Sequence, residues 1–81
     1  MEVYVTLAAR QHIKKLSRAN QKRIIDKIEF YVSQPDPIQF AEPLTGSNEY
    51  RFRVGDYRIR FEVLNDIVWV ISVKRRDEAC R

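Results

Sequence analysis

The run Tyr50-Arg51-Phe52-Arg53-Val54-Gly55-Asp56-Tyr57-Arg58-Ile59-Arg60-Phe61 alternates apolar and basic residues on both sides of a Gly-Asp pair. Successive side chains of a β-strand point to opposite faces, so strict alternation is a strand signature. A Gly-Asp pair between two such runs marks a tight hairpin. The pattern predicts two antiparallel strands with Tyr50, Phe52, Val54, Tyr57, Ile59 and Phe61 on one face and the arginines on the other. With a two-residue turn, Arg53 falls opposite Arg58 and Arg51 opposite Arg60. The apolar face must be buried, which calls for a second layer.

The arginine face raises a different question. Like charges directly opposed on a sheet destabilise it, by up to about 1 kcal/mol per pair. A block of four guanidinium groups makes sense where an anion visits, and the planar guanidinium fork matches the oxygens of phosphate. The alternative is a solvated face in which the arginines pair with Glu49, Glu62 and Asp56. The 81 residues carry a net charge of +4, which suits a nucleic-acid or acidic-protein partner. No run is long and apolar enough for a membrane span or a signal peptide, so no membrane association is expected. Cys80 is the single cysteine and cannot form an internal disulfide, which points to a reducing, cytoplasmic setting.

Around the hairpin, the chain reads as one α+β domain over residues 1–81. Glu2 to Thr6 is a short β-rich segment, and Thr6 is a competent N-cap for a helix starting near Ala8. Ala9, Ile13 and Leu16 recur at helical spacing. Asn20 is read as the cap of a second helix to about Gln34, with Ile24, Ile28 and Tyr31 as its stripe, ended by Pro35 and Pro37. The basic residues of these helices, with His12 among them, read as a solvated surface. Residues 35–48 read as a loop that Leu44 anchors to the core. Strands follow at Tyr50–Val54, Tyr57–Val63 and Ile67–Val73, the last apolar on both faces, and a basic tail closes the chain. The order is β-α-α-β-β-β, a helical hairpin packed on one face of a small, mostly antiparallel sheet, with the opposite, basic face open.

This pattern resembles the RelE/ParE superfamily of toxins from type II toxin–antitoxin modules. The resemblance spans nearly the whole chain. It includes Pro43-Leu44-Thr45-Gly46, the segment YRFRVGDYRIRFEV, and a final apolar strand running into VISVKRRDEACR. It implies a toxin that cuts mRNA at the ribosome and a cognate antitoxin partner; with His12 as the single histidine, no metal or cofactor is expected. It also implies that Arg51, Arg53 and Arg58 stand at the family's basic catalytic positions, and that Arg75 or Arg76 takes the basic position after the last strand. Arg76 is assigned there, with Arg60, Lys74 and Arg75 as RNA contacts. Where the family usually ends in a tyrosine, this chain has Cys80, a departure that puts full catalytic strength in doubt. Two other functions compete: a ParE-type toxin that blocks DNA gyrase, and a non-catalytic member that only binds its antitoxin.

The chemistry implied by the first reading needs a base for the ribose 2′-hydroxyl, cations for the pentavalent phosphorane, and an acid for the leaving 5′-oxygen. Arginine supplies the cations and is a poor base. Glu62 and Cys80 are the candidate bases. Trp69 reads as a core or antitoxin-facing residue, and Tyr50 and Tyr57 as core.

Overall fold

The computed structural model describes residues 2–76. The elements in order are β1 (Glu2–Val5), α1 (Leu7–Lys14), α2 (Arg18–Val32), a short 3-10 helix (Pro37–Phe40), β2 (Glu42–Pro43), β3 (Glu49–Val54), β4 (Tyr57–Leu64) and β5 (Ile67–Arg75). They form one sheet in the order β1-β5-β4-β3-β2. β1 runs parallel to β5, and the other neighbours are antiparallel. Both helices cover the same face: α1 lies on β5, and α2 reaches β1 and β3. The expected α+β architecture with an open opposite face is what forms.

Local chemistry sets the helix limits. The Thr6 hydroxyl accepts the Ala9 N–H at 3.2 Å and so starts α1. The second helix begins earlier than expected. Ser17, not Asn20, is its N-cap, and Asn20 donates its backbone N–H to the Ser17 hydroxyl at 3.2 Å. Both residues can cap, and the earlier one gains three more helical positions. Ala9 and Ile13 from α1 and Ile24, Ile28 and Val32 from α2 meet Phe52, Val54, Ile59, Phe61, Val68, Val70 and Val73 from the sheet. At the centre, Phe52 is stacked between Tyr31 (ring centroids 4.5 Å apart) and Phe61 (4.2 Å).

The segment expected as a loop contains two elements. Its anchor is the fully buried Pro37, with Ala41 packed on the core and Phe40 stacked on Tyr31 at 5.4 Å. Leu44 is only half-buried and is not among the residues packed on the core. The second element is β2, which adds a fifth strand at the edge, with Glu42 opposite Arg51 and Pro43 opposite Tyr50. A two-residue strand containing a proline leaves no periodic signal, and proline is tolerated only at such an edge.

The two hairpin turns are solved differently. Gly55 takes φ +57°, and Asp56 does not join it in the positive region. At the second turn both Asn65 (φ +52°) and Asp66 (φ +62°) do, the conformation of a type I′ turn. Arg60 pairs with Ser72 but Phe61 pairs with Val70, so Ile71 is an extra residue in β5. This bulge inverts the in–out alternation of the strand. Before it, Val68 and Val70 face the helices. After it, Val73 does, and Lys74 lands on the arginine side opposite Arg58.

The same region of β5 has lost its strand neighbour, because β1 stops at Val5 opposite Val70. Groups from the start of the helical hairpin replace it. Thr6 donates its backbone N–H to the Val70 carbonyl (3.0 Å) and its hydroxyl to the Ile71 carbonyl (3.3 Å). His12 Nδ1 accepts the Val73 N–H at 3.2 Å. His12 is therefore not the plain surface residue its helical position suggests. It is half-buried and closes a backbone group of the sheet.

Candidate functional site: the basic open face

The β3–β4 register places Arg51 opposite Arg60 and Arg53 opposite Arg58, as the alternation requires. β5 adds Lys74 opposite Arg58. Five cations thus share the end of the open face near the Gly55-Asp56 turn. The carboxylates that meet them are not the expected set. Glu42, on β2, contacts two arginines: Arg53 Nε lies 2.5 Å from its Oε1, and Arg51 Nη2 lies 3.1 Å from its Oε2. Arg60 Nε pairs with Glu49 Oε1 at 2.5 Å. Neither Glu62 nor Asp56 makes an ion pair among the described residues. Glu42 was missed because β2 was missed. The available sequence signal was an acidic residue shortly before Thr45-Gly46, on the far side of that turn from the arginine strand.

Arg58 differs from the other three arginines. Its only side-chain hydrogen bond among the described residues is from Nη1 to the neighbouring Tyr57 carbonyl, at 3.4 Å. It is half-buried beside Arg53 and Lys74, with no carboxylate in ion-pair range among the described residues. The Glu42 carboxyl is held below its ordinary value, chiefly by the Arg51 hydrogen bond; burial opposes this as the next largest effect, and the charge and hydrogen bond of Arg53 add to the lowering. Glu42 is thus an anion at neutral pH. The Arg51 Nε is buried and has no hydrogen-bond partner, so this guanidinium is only partly satisfied.

The two tail arginines diverge. Arg75 pairs with Tyr57 in the ladder, which puts it on the helix side. There it lines a cavity of about 480 Å³ with His12, Lys15, Tyr57 and Val73. Arg76 follows the end of β5, and its N–H donates to the Asp56 carbonyl at 2.6 Å, tying the strand end to the hairpin turn. Cys80 lies outside the described residues. Tyr57 stays on the helix side, its hydroxyl accepting from Asn20 Nδ2 at 3.3 Å. Tyr50 packs on the core and stacks on Phe61 at 5.6 Å.

The far half of the open face is apolar. Tyr4 on β1 stacks on Trp69 at 5.2 Å, and Leu64 and Ile67 pair beside them. Trp69 is therefore on the open side and not in the core. Glu62 sits at the border between the halves, opposite Glu49 on one side and Trp69 on the other. No group of three or more metal-ligating side chains occurs among the described residues, and no helix there is long and apolar enough to cross a membrane.

Comparisons with known proteins agree with this geometry. Residues 3–80 match the family model described as the ParE toxin of type II toxin-antitoxin system, parDE. No curated protein matches. Among solved structures, the RelBE2 toxin–antitoxin complex from Mycobacterium tuberculosis aligns with a TM-score of 0.84 at 22% identity, covering 93% of this chain and 90% of that one. The RelB-RelE antitoxin-toxin complex from Methanococcus jannaschii aligns at 0.75 and 25% identity, covering 94% and 93%. The isolated RelE toxin of E. coli gives 0.75 at 19% identity, covering 98% and 94%. These likenesses show a shared fold, and the family match spans nearly all of the chain that builds it. The chain belongs to the RelE/ParE family and is the toxin of a type II toxin–antitoxin system.

Proposed function

We propose that this toxin is a ribosome-dependent mRNA endoribonuclease, that the basic half of the open face binds the RNA backbone, and that a cognate antitoxin restrains it in the cytoplasm. The observation that carries the reading is Arg58, a half-buried guanidinium between Arg53 and Lys74 with no carboxylate in ion-pair range among the described residues. Such a group supplies what phosphoryl chemistry needs most, fixed positive charge where the phosphorane develops. Arg51, Arg53 and Arg58 flank the scissile phosphate in this scheme, and Arg60 and Lys74 extend the track for neighbouring phosphates. Arg76, beside the hairpin turn, suits the basic position after the last strand better than Arg75, which lies on the helix side.

The substrate ribose 2′-oxygen attacks the adjacent phosphorus, and the 5′-oxygen leaves. Arginine remains protonated throughout, so its part is orientation and charge stabilisation. Glu62 borders the apolar half next to Trp69, away from Arg53 and Arg58, and is poorly placed as the base. Cys80 at the family's tyrosine position implies slow scission.

One observation favours a second reading. The family model that matches is described by ParE, and the ParE side of the resemblance implies a toxin that blocks DNA gyrase. The deciding experiment is primer extension on cellular mRNA after brief induction of this chain and of a Cys80→Tyr variant, with a gyrase supercoiling assay in parallel. Cleavage by either chain supports the ribonuclease. Growth arrest with uncut mRNA and inhibited supercoiling sinks it in favour of gyrase.

A further inference from the structure

The Glu42 carboxylate is bound as an anionic ligand would be. Arg53 meets it with two nitrogens, Nε to Oε1 at 2.5 Å and Nη2 to Oε2 at 3.3 Å, while Arg51 Nη2 reaches Oε2 at 3.1 Å. Two parallel N–H···O contacts from one guanidinium are its mode of binding to either carboxylate or phosphate. Two neighbouring guanidinium groups therefore already converge on one anion, and that anion belongs to the protein.

Three further features bear on whether it can be displaced. Glu42 is carried by a two-residue edge strand, and its side chain is 44% exposed, so it can leave for water at little cost. Exposed ion pairs of this kind are weak. Arg58 and Lys74 stand in the same row as Arg53 without carboxylates in range among the described residues, which offers an incoming anion a first contact. Finally, Arg51 has an unpartnered Nε, so its present contact leaves it incompletely satisfied.

From this we infer that Arg51 and Arg53 form a phosphate subsite closed by Glu42, which a backbone phosphate of single-stranded RNA enters by displacing the Glu42 carboxylate. The inference rests on the reading of this face as RNA-binding. The exchange is one anion for another, so the guanidinium groups stay paired and little new order is needed. A single phosphodiester has no charge advantage over the carboxylate. A strand does, because further phosphates bind Arg58, Arg60 and Lys74 at the same time. In the empty protein the carboxylate performs a second task, offsetting the repulsion of the opposed arginines.

The test is fluorescence anisotropy of a short fluorescein-labelled single-stranded RNA titrated with the toxin and with Glu42→Gln, Arg58→Ala and Glu2→Gln variants. Glu2, exposed on β1 at the opposite edge of the sheet, reproduces the charge change away from the subsite. Glu42→Gln is expected to tighten binding roughly threefold to tenfold at low salt, and Glu2→Gln by less than about twofold. In the Arg Nε–H NMR spectrum, the Arg53 signal should move on adding RNA to the parent toxin, and in Glu42→Gln without RNA. Equal tightening by Glu42→Gln and Glu2→Gln would overturn the inference, since net charge alone would explain it. Unchanged or weaker binding by Glu42→Gln overturns it as well, and if Arg58→Ala still weakens binding, the RNA-binding face survives that result. Absence of RNA binding by every variant removes both.

Discussion

Lys74 lies directly across the β4–β5 ladder from Arg58, and Arg58 lies directly across the β3–β4 ladder from Arg53. Three cations thus form a row over three strands, and among the described residues only Arg53 has a carboxylate partner. The middle position has a cation on either side and no carboxylate partner among the described residues. Arg58→Ala is expected to relieve growth arrest and reduce mRNA cleavage by about a hundredfold or more. Its stability should stay within about 0.5 kcal/mol of the parent, because the side chain makes one long bond to a neighbouring carbonyl. Antitoxin co-purification should persist. Primer extension, thermal melting and pull-down measure the three effects.

Glu42 links stability to pH. Arg51, and after it Arg53, hold its carboxyl below the ordinary value of 4.5. A depressed folded-state value means that the fold favours the charged form, so its contribution is present above the unfolded value. That contribution is lost as pH falls through the lower folded value. Urea midpoints measured from pH 7 downward should therefore fall more steeply below about pH 4.5 for the parent than for Glu42→Gln.

Gly55 is constrained twice. Its φ is +57°, and an added Cβ would sit 2.7 Å from Nη2 of Arg23, which reaches the turn from α2. The guanidinium is the free end of a flexible side chain and can move aside, whereas the backbone conformation cannot change without opening the turn. Gly55→Ala should therefore cost about 1–2 kcal/mol, and a second substitution, Arg23→Ala, should not restore it. Chemical denaturation of the single and double variants measures this.

His12 is expected to matter for stability through the Val73 N–H that it accepts. Val73 is buried, so removal of the acceptor leaves a buried donor unsatisfied. His12→Ala should cost about 1–3 kcal/mol. Amide hydrogen exchange at Val73 should accelerate selectively, which separates this effect from a general loss of packing.

The parts of this structure legible in the sequence are those specified by near neighbours. The alternation from Tyr50 to Phe61 carries the hairpin, its register and the split between core and arginine faces, because each depends on adjacent residues. Thr6 as a cap is local in the same way. The parts that were not legible depend on contacts between distant segments. Glu42 finds Arg51 and Arg53 only after an edge strand too short to leave a pattern has formed. His12 becomes an acceptor only because β1 ends early beside β5. In β5 the apolar run Ile67–Ile71 hides the bulge, since every position in it is hydrophobic whichever face it takes and Ser72 is the first polar residue.

That bulge has a consequence for how β5 can vary. The strand is read in two frames. Up to Val70 the even-numbered positions are the interior ones, and from Val73 the odd-numbered ones are. A saturation scan of β5 should show tolerance to polar substitution alternating in one phase before Ile71 and in the opposite phase after it. Deletion of Ile71 should preserve both faces of the strand, because it removes the extra residue and sets Ser72 directly after Val70 opposite Arg60. Val73 would stay against the helices and Lys74 in the cation row, so the strand would read in one frame throughout.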